Sequence, residues 1–146
     1  MPTAGRMTAA VFFAVLAWYA TEVALGVMPS VYDRPGVAKW CAVIGFWAAW
    51  TVFRKIDGSL RQSFVLSLST AVLIAGVAAL LHSASMTFSA AWQGQSGTLI
   101  ATFERVFSTM GDIVLNLATA QQAMVAILAG ALVIGAAATM MERRFG

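Results

Sequence analysis

The stretch MTAAVFFAVLAWYATEVALGVM, Met7 to Met28, carries one charged residue, Glu22, among residues that are otherwise apolar or mildly polar. A helix needs roughly 20 apolar residues to cross a hydrocarbon core about 30 Å thick. Arg6 precedes the stretch, and the helix breakers Pro29 and Pro35 follow it. These boundaries predict a first transmembrane span at 7–28.

The composition of the whole chain is as apolar as this stretch would lead one to expect for a membrane protein. Of its 146 residues, 60% are apolar and 10% are charged. Soluble domains are about 45–50% apolar and about 25% charged, so the composition indicates a membrane protein. The net charge of +3 comes from basic residues that flank apolar runs. Membrane topology explains that charge, and we predict no nucleic-acid partner.

Three further apolar runs are candidate spans, at 37–53, 63–81 and 118–141. The run 37–53 is short, but Lys39 near its start can extend to the interface and reduce the mismatch. Asp57 and Gly58 predict a turn before the next span. We therefore predict an all-α membrane protein with four transmembrane helices, forming a single domain over residues 1–146.

The basic residues of the loops predict the orientation, because the side richer in Lys and Arg stays in the cytoplasm. With both termini inside, the inner side holds six: Arg6, Arg54, Lys55, Arg61, Arg143 and Arg144. The outer side then holds three: Arg34, Lys39 and Arg105. We predict a multi-pass protein of the bacterial cytoplasmic (inner) membrane with both termini cytoplasmic.

A cleaved signal peptide is an alternative interpretation of the first span. Arg6, the apolar run 9–20 and the triplet Ala24-Leu25-Gly26 resemble its three regions. The apolar run continues to Met28, however, and is long enough to span. Cleavage would leave the rest of the topology unchanged.

The segment between the third and fourth spans has a helical period, which predicts an amphipathic helix at 98–117. Its apolar residues share one face: Leu99, Phe103, Val106, Phe107, Met110, Ile113, Val114 and Leu117. The opposite face lacks the lysines of a sensor of anionic lipids, so we expect the helix to pack on the bundle, and a position in the outer interface is the alternative. The glycine-rich and polar stretch AAWQGQSG, 90–97, predicts a break before it.

Small residues recur every four positions within two of the spans. They are Ala71, Ala75 and Ala79 in the third, and Ala131, Gly135 and Thr139 in the fourth. Such rows let helix backbones approach closely in lipid. We expect packing within the chain, and a dimer face is the alternative.

The residues that carry chemistry are few. One histidine and one cysteine exclude an internal disulfide and a zinc site with several Cys or His ligands. The sequence contains no P-loop, no dinucleotide-binding glycine pattern and no GxSxG motif. We predict no catalytic residue, no metal and no cofactor, and hence a protein that is not an enzyme.

Four residues form a candidate functional cluster at the outer interface: Glu22, Lys39, Cys41 and His82. At 1.5 Å per residue, the predicted span ends place Glu22, Cys41 and His82 within about 10 Å of that interface. Each also has a structural explanation. A lone thiol in a span packs as a small apolar residue, and a histidine at a span end sits in the wet interface. A carboxylate in hydrocarbon costs several kcal/mol unless it is interfacial, paired or protonated, so Glu22 is the least easily explained of them.

The opening MPTAGRMTAAVFFAVLAWYATE has MPTA before a basic residue, an FAVLAW run ending at Trp18, and a Thr21-Glu22 pair. The spacing from Gly45 to Trp50 before Arg54, and the MERR motif within Met140 to Arg144, add to the pattern. These features resemble the TrgA family, small bacterial integral membrane proteins associated with tellurite resistance. The resemblance covers the chain length and the span count, and its specific part is the quoted opening.

The resemblance implies two hypotheses and assigns no catalytic residue. The first is a non-catalytic membrane protein of tellurite or oxyanion stress, which alters oxyanion uptake or supports another membrane component. The second is a structural or assembly subunit of a larger membrane complex. The predicted partners are the lipid bilayer and either another membrane protein or a second copy of the chain.

Overall fold

The structure is a computed structural model that describes residues 4–27, 36–55, 59–95 and 97–145. Every regular element within these ranges is helical, as predicted. The helices are α1 (Ala4–Leu25), α2 (Val37–Val52), α3 (Leu60–Ala90), α4 (Leu99–Thr119) and α5 (Gln121–Phe145). A 3₁₀ turn, Phe53–Lys55, continues α2, and a π-helical turn, Ala91–Gln95, continues α3.

Three of the described helices are long and apolar enough to cross a membrane: α1, α3 with its continuation, and α5. The fourth apolar helix, α2, has 16 residues. At 1.5 Å per residue it is about 24 Å long, shorter than a hydrocarbon core of about 30 Å. The all-α class is confirmed, whereas the number of four spans stays a prediction.

The start of α1 and the ends of α2 lie close to the predicted boundaries. The helix α1 begins at Ala4, three residues before the predicted span, and α2 covers Val37–Val52 against a predicted 37–53. Met28 and the breakers Pro29 and Pro35 lie outside the described residues, and so does the predicted turn at Asp57 and Gly58.

The predicted end of the third span at residue 81 is not the end of the helix. The helix α3 continues through His82 to Ala90, so His82 lies within a helix and not at its end. The added segment is rich in Ser and Thr, whose hydroxyls bond to carbonyls of the preceding turn. Ser83 donates to Leu80 O (3.0 Å) and Thr87 donates to Ser83 O (2.9 Å). These bonds satisfy the hydroxyls along the helix, so lower hydropathy here does not end it.

The predicted amphipathic helix is confirmed as α4, which starts one residue later and ends two residues later than expected. The hydroxyl of Thr98 accepts a hydrogen bond from the Ala101 amide (3.4 Å) and caps the helix. The predicted break before it is present as well, since Gly94 has a φ of 79°.

The apolar face of α4 packs on the bundle only in its second half. Ile113 is 8% exposed, whereas Leu99 and Phe103 are 80% and 65% exposed. The expected packing on the bundle is therefore seen in the second half, whereas the described chain leaves the first half uncovered. After Thr119 the chain turns at the buried Ala120, and α5 begins three residues later than predicted.

The four apolar helices pack as a bundle. The helix α1 packs mainly on α2 and α5, and α3 packs on α5, α2 and α4. A β-carbon on Gly45 would lie 2.6 Å from the Phe13 carbonyl oxygen, and one on Gly135 would lie 2.6 Å from Ser67 Oγ. These glycines therefore bring α2 against α1 and α5 against α3. The small-residue row of α5 thus serves packing within the chain, as expected.

The end of the bundle that contains the start of α1 has a well-filled core. Phe13 and Phe53 are fully buried there, with ring centroids 6.0 Å apart. The buried side chains around them come from α1, α2 and α5: Ala9, Ala10, Ala49, Ala131, Ile134 and Ala138. Large rings between small neighbours fill this end of the bundle.

Candidate functional site

A cavity of about 120 Å³ lies farther along the bundle, bounded mainly by α1 and α3. We call it the alanine-lined cavity, because both helices present alanines to it: Ala17, Ala20 and Ala24 on α1, and Ala71, Ala75 and Ala78 on α3. These α1 residues recur at spacings of three and four, so they share one helix face. The small side chains of these two helices leave a space here. Toward the other end of the bundle, the aromatic rings of Phe13 and Phe53 fill the space between the helices. The predicted row Ala71, Ala75 and Ala79 therefore lines this cavity.

Two residues of the predicted cluster, Cys41 and His82, line the alanine-lined cavity. Cys41 is buried on α2, and His82 is half-buried on α3. Counting residues from the predicted span ends placed them at one level, and the structure brings them to one cavity. Their shared function stays a prediction.

The other two residues of the cluster do not line the cavity. Glu22 on α1 and Lys39 on α2 are both exposed. The reason is the direction in which these residues point around the helix axis. At 100° per residue, Glu22 is turned about 200° from Ala20, which faces the cavity. The structure therefore separates the four residues into a cavity pair and an exposed pair.

Thr21 is a polar residue of the cavity that the predicted cluster did not include. Its hydroxyl donates to the Ala17 carbonyl (2.7 Å), and its side chain is within hydrogen-bonding reach of the Cys41 thiol. The signal was present in the sequence, because Thr21 lies four residues after Ala17 and three before Ala24, on the same helix face. Recognising it required knowing which face of α1 turns inward.

At the filled end of the bundle, two polar contacts hold α1 to its neighbours. The Gly5 amide donates to Glu142 Oε2 (3.0 Å), and Arg6 Nε donates to the Trp50 carbonyl (2.7 Å). The Arg6 guanidinium also lies 4.1 Å from the centre of the Trp50 ring. The Glu142 carboxylate thus satisfies an N–H at the start of α1 that lacks a helical partner, where the helix dipole favours negative charge.

These contacts join three segments that carry the resemblance stated above. Gly5 and Arg6 belong to the quoted opening, Trp50 ends the spacing from Gly45, and Glu142 belongs to the MERR motif. Segments far apart in sequence therefore meet at one end of the bundle. The contacts tie α1 to α2 and α5, which is a structural role.

Buried hydroxyls on α3 face α5 near the same end. Thr139 donates to Ser63 Oγ (2.6 Å) and also contacts the Gly135 carbonyl (2.8 Å). Ser67 Oγ is buried and has no hydrogen-bond partner among the described residues. It lies against Gly135 at the close approach of the two helices. Hydrogen bonds between membrane helices average about 0.6 kcal/mol, so the bond from Thr139 to Ser63 adds modestly to the packing of α5 on α3.

The lining of the alanine-lined cavity includes no Asp, Glu, Lys or Arg among the described residues. A charged ligand would lose its hydration there without a charged partner. Within the described ranges, no group of three His, Cys, Asp or Glu residues is placed to hold a metal ion. The arrangement suits an uncharged molecule.

No protein-family model, curated protein or solved structure matches the chain.

Proposed function

We propose that the protein is a non-catalytic integral membrane protein of the bacterial inner membrane that contributes to tolerance of tellurite or a related oxyanion. One observation carries this proposal. The segments that resemble the TrgA family meet at one end of the bundle, through the contacts of Gly5 with Glu142 and of Arg6 with Trp50. Residues shared with that pattern are thus residues that hold the helices together.

In this proposal the protein alters oxyanion uptake or supports another membrane component. The alanine-lined cavity favours such an indirect role, because its lining offers no Arg or Lys among the described residues to balance an anion. The buried thiol of Cys41 and the half-buried His82 are the side chains of this cavity with the most reactive chemistry.

The proposed topology has four spans with both termini in the cytoplasm. Although α2 is short, it packs along α1 over the close approach at Gly45, so it lies beside a helix long enough to span. Lys39 is exposed at one end of α2, and Arg54 is exposed just beyond the other. Long basic side chains can extend to both interfaces and reduce the mismatch.

The proposal is tested in a deletion strain complemented with wild type, Glu22→Gln or Cys41→Ser, measuring tellurite tolerance and tellurite uptake at matched protein abundance. Wild type restores the phenotype. If the predicted cluster functions, the two variants restore less of it. Equal rescue by all three removes support for the cluster, and a deletion that changes neither measurement contradicts the proposed function.

A second candidate function is a subunit of a larger membrane complex. It is favoured by apolar side chains that the described chain leaves uncovered near the end of α3 and the start of α4: Phe88, Trp92, Leu99, Ile100 and Phe103. Co-purification in mild detergent separates the candidates. A stoichiometric partner supports the subunit, whereas no partner together with altered tellurite uptake supports the first proposal.

A further inference from the structure

We propose that the alanine-lined cavity binds a small, uncharged, apolar molecule of about the size of one aromatic ring. This inference rests on the shape and lining of the cavity. It does not depend on the resemblance or on a role in oxyanion tolerance.

The cavity results from the choice of side chains on facing helices. At the filled end, Phe13 and Phe53 occupy the centre of the bundle. Farther along α1, alanines such as Ala20 line one cavity together with alanines of α3 such as Ala75 and Ala78. The cavity is partly open to the surroundings of the bundle, and while it is unfilled the atoms that line it forfeit packing contacts. A bound apolar molecule would restore those contacts.

The volume and the polarity of the cavity define the ligand. An apolar cavity of about 150 Å³ in another protein stays dry and binds benzene. The present cavity, at about 120 Å³, is of the same order, and it is partly open to the surroundings of the bundle. Its lining is apolar except for Thr21, Cys41 and His82, and none of its described residues is Asp, Glu, Lys or Arg. An anion or a cation would lose its hydration there without a charged partner, so the ligand is uncharged.

The surroundings of the cavity supply such molecules. Helices α1 and α3 are long and apolar enough to span a membrane, so the cavity lies within the apolar part of the bundle. Uncharged apolar molecules concentrate in the hydrocarbon of a bilayer, whereas ions are excluded from it. The cavity is therefore exposed to bilayer hydrocarbon, in which uncharged apolar molecules are concentrated.

The test is saturable photolabelling of the full chain in phosphatidylcholine nanodiscs with 3-trifluoromethyl-3-phenyldiazirine, with labelled residues mapped by mass spectrometry. Lipid-facing residues are labelled in proportion to the probe concentration. Cavity residues such as Ala20 and Ala75 are expected to show an additional saturable component. Toluene is expected to remove that component at least tenfold more effectively than benzenesulfonate.

Two cavity-filling variants and one matched control complete the experiment. Ala75→Leu and Ala78→Leu are expected to lose the saturable component. Ala129→Leu adds the same atoms at an exposed position of α5 and is expected to retain it. The proposal is overturned if wild-type labelling does not saturate, if benzenesulfonate competes as well as toluene, or if a filling variant that elutes like wild type keeps the component. Should neither filling variant fold, competition in the wild-type protein decides.

Discussion

Gly45 lies where α2 crosses α1, and its missing side chain lets the two backbones come together. A β-carbon at this position would be 2.6 Å from the Phe13 carbonyl oxygen and 2.9 Å from the β-carbon of Ala17. Both obstacles are a helix backbone or an atom attached directly to one, so neither can swing aside. A side chain at this position would therefore disturb the packing of α1 on α2.

We expect Gly45→Ala to lower the free energy of unfolding by about 1–3 kcal/mol, because the added methyl forces α1 and α2 apart. Unfolding by sodium dodecyl sulfate, followed by far-UV circular dichroism, measures the change. The matched control is Gly76→Ala, since a β-carbon on Gly76 would meet nothing within 4 Å. A helical alanine there is expected to leave stability unchanged or to raise it slightly. Equal losses in the two variants would show that the close approach at Gly45 has no energetic weight.

The candidate site was partly predictable at the scale of single residues. Because the rise of a helix per residue is constant, counting from span ends places Cys41 and His82 at one level. Counting along an axis does not show which face turns inward. For that reason Glu22 was grouped with them although it is exposed, and Thr21 was left out although it lines the cavity. Which face turns inward depends on the partner helix, and the sequence of one apolar span does not reveal that partner.

At the scale of elements, α4 is two halves with different surroundings. Its second half contributes Ile113 and Leu117 to the lining of the alanine-lined cavity, and Ile113 is buried. Its first half exposes Leu99, Ile100 and Phe103. The helical period predicted the helix and its apolar face, but the period is the same in both halves. The period therefore does not show how far the bundle extends beneath α4, because that depends on tertiary packing.

We expect Ile113→Ala to destabilise the protein by about 2 kcal/mol or more, because it removes a buried side chain where α4 meets the bundle. Ile100→Ala is the matched control. Ile100 is exposed on the same helix, so its truncation is expected to change stability by less than about 0.5 kcal/mol. Thermal unfolding of both variants in the same detergent compares them. Similar melting temperatures for the two would contradict the division of α4 into a packed and an uncovered half.

The ends of the elements show what hydropathy measures. The bounds of α2 were close to those predicted, because polar and charged residues flank its apolar run. The helix α3 extends nine residues beyond the predicted end of the third span, since hydropathy falls after residue 81 while the helix continues to Ala90. Hydropathy reports the length of an apolar segment. It does not register the hydroxyl bonds of Ser83 and Thr87, which satisfy these side chains within the helix.

At the scale of the whole molecule, the two ends of the bundle differ in construction. One end is filled by the rings of Phe13 and Phe53 and is joined by the contacts of Gly5 and Arg6. The other contains the alanine-lined cavity, which α4 partly covers with Ile113. The all-α bundle follows from composition and apolar runs. The distinction between the ends does not, because it depends on which small and large residues face each other across the bundle axis.

The central proposal for the whole molecule is that α2 crosses the membrane. Four spans would put both termini on one side, and the basic residues of the loops favour the cytoplasm. If α2 crosses, the segments before α2 and before α3 lie on opposite sides of the membrane. Val27 and Ser59 are exposed and mark these two segments, and Thr98 marks the segment before α4. Cysteines placed there in a Cys41→Ser background report the side directly, because Cys41 is the chain's one native cysteine.

The decisive measurement is labelling of Val27→Cys, Ser59→Cys and Thr98→Cys with a membrane-impermeant maleimide, in cells whose outer membrane alone has been permeabilised. We predict labelling of Val27→Cys and Thr98→Cys in these cells, and labelling of Ser59→Cys only after the inner membrane is disrupted. Labelling that puts Val27→Cys and Ser59→Cys on the same side would contradict the crossing of α2, and Ser59→Cys labelled from outside with Thr98→Cys protected would contradict the orientation.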